Sequence, residues 1–135
     1  MLDIKIQKIR DNAILPKYAH GIEDTGADLF ISNIKALNNK GEFEEIKNPD
    51  GYSIAPFKTV LCGVGFKMAV PVGYDVQIRP TSGNSLKTPL RIPNSPATID
   101  SGFRGEVPVI IQNVSDKYYK IKICLCSISS LGPSF

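Results

Sequence analysis

Two polar, glycine-containing blocks of the chain carry residue types that could hold a phosphorylated ligand. The first block, Arg79–Ser85, combines hydroxyl side chains with backbone N–H groups at the predicted start of a short helix. Hydroxyls and N–H groups at such a place hold phosphate oxygens, so the block indicates a phosphate site. A Ser-Gly turn that only caps the helix has the same pattern, and this structural interpretation stays open.

The second block, Asn94–Glu106, contains a carboxylate that could activate water. Asp100 follows the apolar Ile99 and precedes a glycine turn, with Phe103 close behind. A carboxylate beside an apolar wall can act as a general base toward water or balance a metal ion. The alternative is an ordinary turn aspartate that hydrogen-bonds its own backbone. The carboxylate of Asp28 is equally ambiguous, as a metal ligand or as a polar strand residue.

Other kinds of phosphate chemistry find little support in the sequence. The only histidine, His20, lies in a polar connector beside Tyr18, so a Ser-His or Cys-His nucleophile pair is not indicated. The chain contains no G-x-x-x-x-G-K-[ST] sequence, which excludes a P-loop. Any hydrolysis would therefore have to be driven by a carboxylate and assisted by a metal.

Short strands are predicted to position these blocks. Alternation of apolar and polar residues predicts a first strand around Leu2, Ile4 and Ile6 with one buried face. The same alternation over Tyr74–Arg79 places Arg79 on the polar face of its strand. Further strands are predicted at 27–31, 57–70 (bent at Gly63 and Gly65), 90–92, 97–99, 107–113 and 118–128.

Only one helix is predicted. It covers Ser82–Lys87, with Ser82 or Asn84 as its N-cap and Pro89 ending it. The segment Asn33–Asp50 is interpreted as an inserted hairpin or loop because turn-forming clusters flank it. Many short strands with at most one short helix indicate an all-β barrel or sandwich, and residues 1–135 are predicted to form a single domain.

Composition narrows the function classes further. The 16 Lys and Arg against 13 Asp and Glu give a net charge of +3, too mild for a nucleic-acid-binding face but suited to a small anionic ligand. The three cysteines form no C-x-x-C pair, so neither a disulfide framework nor a zinc site is indicated. No signal peptide or apolar run of 18 residues is found, and we expect a cytoplasmic protein without a membrane partner.

Three segments together resemble the trimeric dUTPase family, the dUTP diphosphatases. Residues 25–29, TGADL, are similar to the family's first motif, Ala-Gly-x-Asp-Leu. Residues 80–87, PTSGNSLK, resemble the second, Pro-Arg-Ser-Gly followed by a short helix. Residues 94–106, NSPATIDSGFRGE, resemble the third, Asn-Ser-x-Gly-x-Ile-Asp-x-x-Tyr-Arg-Gly-Glu, in a long and ordered match.

The resemblance implies a jelly-roll-like β-barrel that forms a homotrimer and hydrolyses dUTP to dUMP and pyrophosphate with Mg²⁺. By position, Asp100 would orient the water that attacks the α-phosphorus. The third-motif hairpin would hold uracil, and Phe103 would stack under the deoxyribose. The implied contacts to base and phosphates further include Asn94, Thr98, Ile99, Ser82 and Gly83, and Asp28 would hold hydrated Mg²⁺.

The sequence also departs from the family pattern. Thr81 stands where the second motif has a phosphate-binding Arg, and we expect Arg79, two residues earlier on the same strand face, to supply that charge. Ala97 replaces a Gly, and Phe103 replaces a Tyr. Neither the fourth motif, Gly-Asp-x-x-x-Gln-Leu, nor the Gly-rich fifth motif is recognisable after Ser115.

These departures leave two functions open. Either the protein is a dUTP diphosphatase, perhaps slow for want of the closing arm, or it is a non-catalytic nucleotide-binding or regulatory protein on the same fold. A dCTP deaminase ranks third because it needs a Glu general base on the strand after the third motif, and Val107–Ile111 offers none.

Overall fold

The computed structural model describes residues 3–21, 23–121 and 128–133. The described part contains one short helix, α1 (Ser82–Lys87), and strands at β1 (Lys5–Lys8), β2 (Gly26–Asp28), β3 (Asn33–Leu37), β4 (Phe43–Glu45), β5 (Ser53–Ile54), β6 (Thr59–Gly63), β7 (Phe66–Ala69), β8 (Tyr74–Arg79), β9 (Leu90–Arg91), β10 (Ala97–Ile99), β11 (Pro108–Asn113), β12 (Tyr119–Lys120) and β13 (Ile128–Pro133).

Two antiparallel sheets enclose one apolar core. The strand order is β4-β3-β6-β11-β9 in the five-stranded sheet and β10-β8-β13-β2 in the four-stranded sheet, while β1 with β7 and β5 with β12 form two-stranded ribbons. Inward-facing residues of both sheets belong to the same buried cluster, including Ile34, Val60 and Val109 from one sheet and Val76 and Ile78 from the other. The predicted all-β, jelly-roll-like fold with one short helix is confirmed.

The bend predicted within residues 57–70 separates two strands that belong to different sheets. β6 ends at Gly63 and β7 begins at Phe66, and Gly65 between them has φ +80. A Cβ on Gly65 would lie 2.7 Å from the Ala13 Cβ and 2.8 Å from the Ser32 Oγ. Gly65 therefore permits both the left-handed backbone and the close approach of two neighbouring segments.

Several sequence expectations need correction. The four residues of β1 are all exposed, because this strand pairs only with β7 and no layer covers it; the buried face expected there is reduced to the partly buried Ile4. β2 ends at Asp28, although Leu29 and Ile31 beyond it lie in the core.

Two further expectations concern segments of uncertain pattern. Residues 33–50 do form a hairpin, but β3 lies inside the five-stranded sheet between β4 and β6 and so is not an insertion. Of the strand predicted at 118–128, Tyr119–Lys120 is a strand that pairs with β5, and residues 122–127 lie outside the described residues. No helix in the described part is long and apolar enough to cross a membrane.

Candidate active site

The second polar block forms a hairpin whose outgoing leg is an edge strand. β10 pairs with β8 in the register Ala97 to Ile78 and Ile99 to Val76, and Ile99 is buried in the core. Within the described residues no strand pairs with the other side of β10. The backbone N–H and C=O groups on that side are therefore available to a ligand.

The hairpin turns at Asp100. The Phe103 N–H donates to the Asp100 carbonyl over 3.0 Å, which closes the turn through the backbone. The Asp100 side chain is exposed, and in the described part of the chain its carboxylate has no hydrogen-bond or ion-pair partner. The alternative in which this carboxylate bonds its own backbone is not what the structure shows, and the group can accept a hydrogen bond from water.

The returning leg of the hairpin is organised by its own side chains. Arg104 donates through its NH1 nitrogen to the carbonyls of Ser101, at 2.7 Å, and Phe103, at 3.2 Å. The Phe103 side chain is 36% exposed, and a Cβ on Gly105 would lie 3.0 Å from its Cζ atom. Gly105 thus lets the aromatic ring fold back along the leg with one face toward solvent.

Asn94 and Ala97 lie on the approach to β10. Asn94 is exposed in a turn closed by the Ser95 N–H, which donates to the Ile92 carbonyl over 3.1 Å, and the Ser95-Pro96 peptide is cis. Ala97 has ordinary strand geometry and is not among the positive-φ residues. The Cβ that replaces the family's Gly at this position therefore causes no backbone strain.

The first polar block begins helix α1, with Thr81 as its N-cap. The Thr81 Oγ1 accepts a hydrogen bond of 3.1 Å from the Asn84 N–H, and Thr81 itself has extended backbone angles. The expectation of Ser82 or Asn84 as the cap is therefore wrong, because Ser82 is already helical. Ser82 and Gly83 are exposed in the first turn, and the helix ends before Pro89, as predicted.

Arg79 and Asp28 lie in one row of the four-stranded sheet. Both are register partners of Ile128, Arg79 from β8 and Asp28 from β2. Directly opposed residues of antiparallel strands point to the same face, and two strand spacings separate the pair by about 10 Å. Arg79 is exposed, and its NH2 nitrogen donates to the Gln77 Oε1 over 2.6 Å, so it lies on the strand face that the sequence predicted.

The row and the hairpin are at opposite ends of the sheet. Asp100 follows Ile99, whose partner is Val76 near the start of β8, whereas Arg79 ends that strand. The register thus places Asp100 beside Asp75, four residues or about 13 Å along the strand from Arg79. One copy of the chain brings Asn94, Thr98, Ile99, Asp100 and Phe103 together in one group and Asp28, Arg79, Ser82 and Gly83 in another.

The donor set around Asp28 suits a cation that arrives with its own ligands. Among the described residues no group of three His, Cys, Asp or Glu side chains could hold a metal ion by itself. The Asp28 carboxylate has no hydrogen-bond partner in the described part, since only the Asp28 backbone pairs, with Lys17. Mg²⁺ keeps several waters and binds through one or two carboxylates plus substrate phosphates, so a single carboxylate fits.

Sequence reasoning missed the side chain that holds the base of the hairpin. The Glu106 Oε2 accepts hydrogen bonds from the Asn33 Nδ2, at 2.5 Å, and the Gly65 N–H, at 3.0 Å. The Glu106 Oε1 accepts one of 3.4 Å from the Arg10 Nε. These donors are distant in sequence, so no local pattern could identify them.

Solved structures with the same fold come from bacteriophages of Staphylococcus. The dUTPase from phage phi11 of S. aureus superposes with a TM-score of 0.78 at 18% identity, covering 98% of this chain and 91% of that one. The 80alpha phage dUTPase solved with dUpNHpp superposes with a TM-score of 0.77 at 18% identity, covering 98% and 83%. These likenesses define the class of fold, a jelly-roll-like β structure.

Curated sequence relatives define the family, although no family model matches the chain. The deoxyuridine 5'-triphosphate nucleotidohydrolase of Picosynechococcus sp. is 36% identical over 121 residues, 90% of this chain and 72% of the relative. Those of Solibacter usitatus and Clostridium acetobutylicum are each 38% identical, covering 89% and 90% of this chain and 71% and 72% of the relatives. The chain therefore belongs to the deoxyuridine 5'-triphosphate nucleotidohydrolase, or dUTPase, family.

Proposed function

We propose that the protein is a dUTP diphosphatase that hydrolyses dUTP to dUMP and pyrophosphate. The observation that carries this proposal is the Asp100 carboxylate, exposed at the tip of the hairpin without a protein partner, in a chain whose relatives bear that enzyme name. A carboxylate in this state can accept a proton from water and direct the oxygen toward the α-phosphorus.

Base selection belongs to the open side of β10 in this proposal. Backbone groups between Asn94 and Ile99, including Thr98, would pair with the edge of uracil. Cytosine would place a donor opposite a donor, and an unpaired buried polar group costs about 1 to 3 kcal/mol. Phe103 would stack under the deoxyribose and leave no space for a 2′-hydroxyl.

Phosphate binding belongs to the second group of residues. Ser82 and Gly83 would donate to phosphate oxygens, and Arg79 would leave Gln77 to pair with the phosphate chain. Asp28 would hold the water shell of Mg²⁺, which when bound neutralises charge on the triphosphate. The solved phi11 structures support a role for this ion in relatives, since one of them describes a structural Mg(II) ion.

Because the two groups lie at opposite ends of the sheet, we propose that each complete site joins the hairpin of one copy to the phosphate row of another. A closed homotrimer would form three such sites. In the same proposal, residues 1–135 act as one domain in the cytoplasm, with a nucleotide as the small-molecule partner.

The deciding experiment is a pyrophosphate-release assay with Mg²⁺ and dUTP, dTTP, dCTP or UTP in parallel. We expect turnover with dUTP and at least tenfold lower kcat/KM with the other three nucleotides. Tight binding of dUTP without product would instead support the non-catalytic nucleotide-binding protein. Turnover without preference for dUTP would contradict the assigned uracil pocket.

A further inference from the structure

The Glu106 carboxylate ties the hairpin to three other parts of the molecule. Its side chain is only 18% exposed. It accepts hydrogen bonds from Asn33 on β3, from the Gly65 N–H in the turn between β6 and β7, and from Arg10 in the loop after β1. Asn33 is itself buried, so its amide depends on this partner.

Gly63 makes room for this contact. A Cβ at position 63 would lie 1.9 Å from the Glu106 Oε2 and 2.6 Å from the Asn33 Nδ2. Gly63 does not have a positive φ, so the backbone conformation does not require glycine here. The absence of a side chain at position 63 is therefore explained by the entry of the carboxylate.

Arg10 shares its charge between two carboxylates. Its NH2 nitrogen lies 2.5 Å from the Glu45 Oε1 on β4, and its Nε lies 3.4 Å from the Glu106 Oε1. The hydrogen bond to Glu45, together with the charges of Glu106 and Glu45, raises the pKa of Arg10 above its ordinary value. Arg10 therefore stays protonated and links the base of the hairpin to the β3–β4 pair.

The two legs of the hairpin are held differently. The outgoing leg, β10, is fixed along its length by pairing with β8. The returning leg, residues 101–105, belongs to no strand, and its bonds at Arg104 are internal to the turn. Glu106 is the first residue after this leg whose side chain bonds to the body of the molecule.

We propose that Glu106 is a positioning residue that fixes the returning leg, and through it sets Phe103 against the sugar and Asp100 against the α-phosphate. This inference rests on the proposed function for its chemistry. Because β10 is held independently, Glu106 acts on turnover and sugar selection, whereas base binding is left to the outgoing leg.

The first test compares Glu106→Gln with Glu45→Gln as the matched control. A glutamine offers one acceptor oxygen, so its NH2 must face a donor either at Arg10 or at the Asn33 and Gly65 pair. For Glu106→Gln we expect kcat for dUTP to fall at least tenfold and the dUTP-over-UTP ratio of kcat/KM to fall at least fivefold. The Kd for dUMP should stay within threefold.

Glu45→Gln removes the exposed partner of Arg10 and should leave all three quantities within twofold. Unchanged kcat and sugar selectivity in a folded Glu106→Gln protein would overturn the proposal. Should that variant not fold, Glu106→Asp, which keeps the charge but withdraws it by one methylene, carries the same expectations.

A second readout does not depend on turnover. The chain has no tryptophan, so Phe103→Trp places a single fluorophore on the returning leg. Adding Glu106→Gln should raise its acrylamide quenching constant at least twofold, and adding Glu45→Gln should not. An unchanged constant overturns the positioning role, whereas a raised constant in a protein that hydrolyses no dUTP removes the proposed function and keeps the anchor.

Discussion

Asp100 combines exposure with the lack of a protein partner, which distinguishes it from a turn aspartate held by its own backbone. If it orients the attacking water, Asp100→Asn should lower kcat by about 10² to 10⁴-fold, the range of general-base contributions. The Kd for dUMP should change little, because the backbone of β10 is untouched. Steady-state kinetics and calorimetric titration measure the two quantities.

Asp116→Asn is the matched control for that substitution. Asp116 is also an exposed aspartate in a turn, and it should keep wild-type kcat. Equal rates for Asp100→Asn and the wild type would remove Asp100 from the chemistry.

Arg79 is expected to replace the phosphate-binding Arg that the second motif lacks at Thr81. Arg79→Ala should weaken binding of a non-hydrolysable dUTP analogue by about tenfold or more, the value of one charge-assisted contact. Binding of dUMP should weaken much less, since it has one phosphate. Arg91→Ala removes another exposed arginine and serves as the control; equal affinities of both variants and the wild type would contradict the role.

Local patterns predicted the residues that act close to their own position in sequence. Asp100, Phe103 and Ser82 were identified because their neighbours set their context within a few residues. Glu106 could not be assigned a partner, because Asn33 and Gly65 come into reach only through the pairing of β3 with β6 and the turn that follows. The cost of the Ala97 Cβ was likewise decided by a backbone angle that the sequence does not reveal.

At the level of elements, β8, β10 and α1 have the bounds that the sequence predicted. Their alternation, flanking turns and terminating Pro89 are local signals. The exposure of β1 and the division of residues 57–70 between two sheets depend on which strands cover or pair with them. The helix N-cap was misplaced by one residue because Thr81 and Ser82 are both good caps, and only the backbone geometry separates them.

The turn between β5 and β6 contains an unfavourable backbone conformation. Phe57 has φ +59, and its side chain is 61% exposed, so little packing compensates. Phe57→Gly should raise the free energy of unfolding by about 0.5 to 1 kcal/mol, since glycine adopts this region without the Cβ penalty. Chemical denaturation measures the change. Phe57→Ala keeps a Cβ and should give no gain; equal stabilisation by both substitutions would contradict the strain argument.

The end of β11 depends on one buried amide. Asn113 is fully buried, its Nδ2 donates to the Ile54 carbonyl at 3.0 Å and the Lys117 carbonyl at 2.7 Å, and its Oδ1 accepts from the Ser115 N–H at 3.0 Å. Asn113→Ala leaves these groups unpaired and should lower the free energy of unfolding by about 3 kcal/mol. Asn39→Ala, at an exposed turn, should change it by under about 0.5 kcal/mol. A loss of that small size at position 113 would refute the assignment.

For the whole molecule, the sheet register separates the water-orienting group from the phosphate-binding group. Asp100 lies beside the start of β8, whereas Asp28 and Arg79 lie in the row at its other end. A complete site therefore needs a second copy, and activity should depend on assembly. Light scattering should show a trimer in the active preparation, and an active monomer would contradict the shared site.

Mixing two inactive variants tests the shared site most directly. Asp100→Asn damages the hairpin and Asp28→Asn damages the phosphate row, so each homotrimer should hydrolyse little dUTP. After the copies are exchanged at equal amounts, a random mixture joins an intact hairpin to an intact row in about a quarter of its sites. We predict recovery of dUTP hydrolysis to about a quarter of the wild-type rate. No recovery in trimers shown to contain both variants would contradict the account.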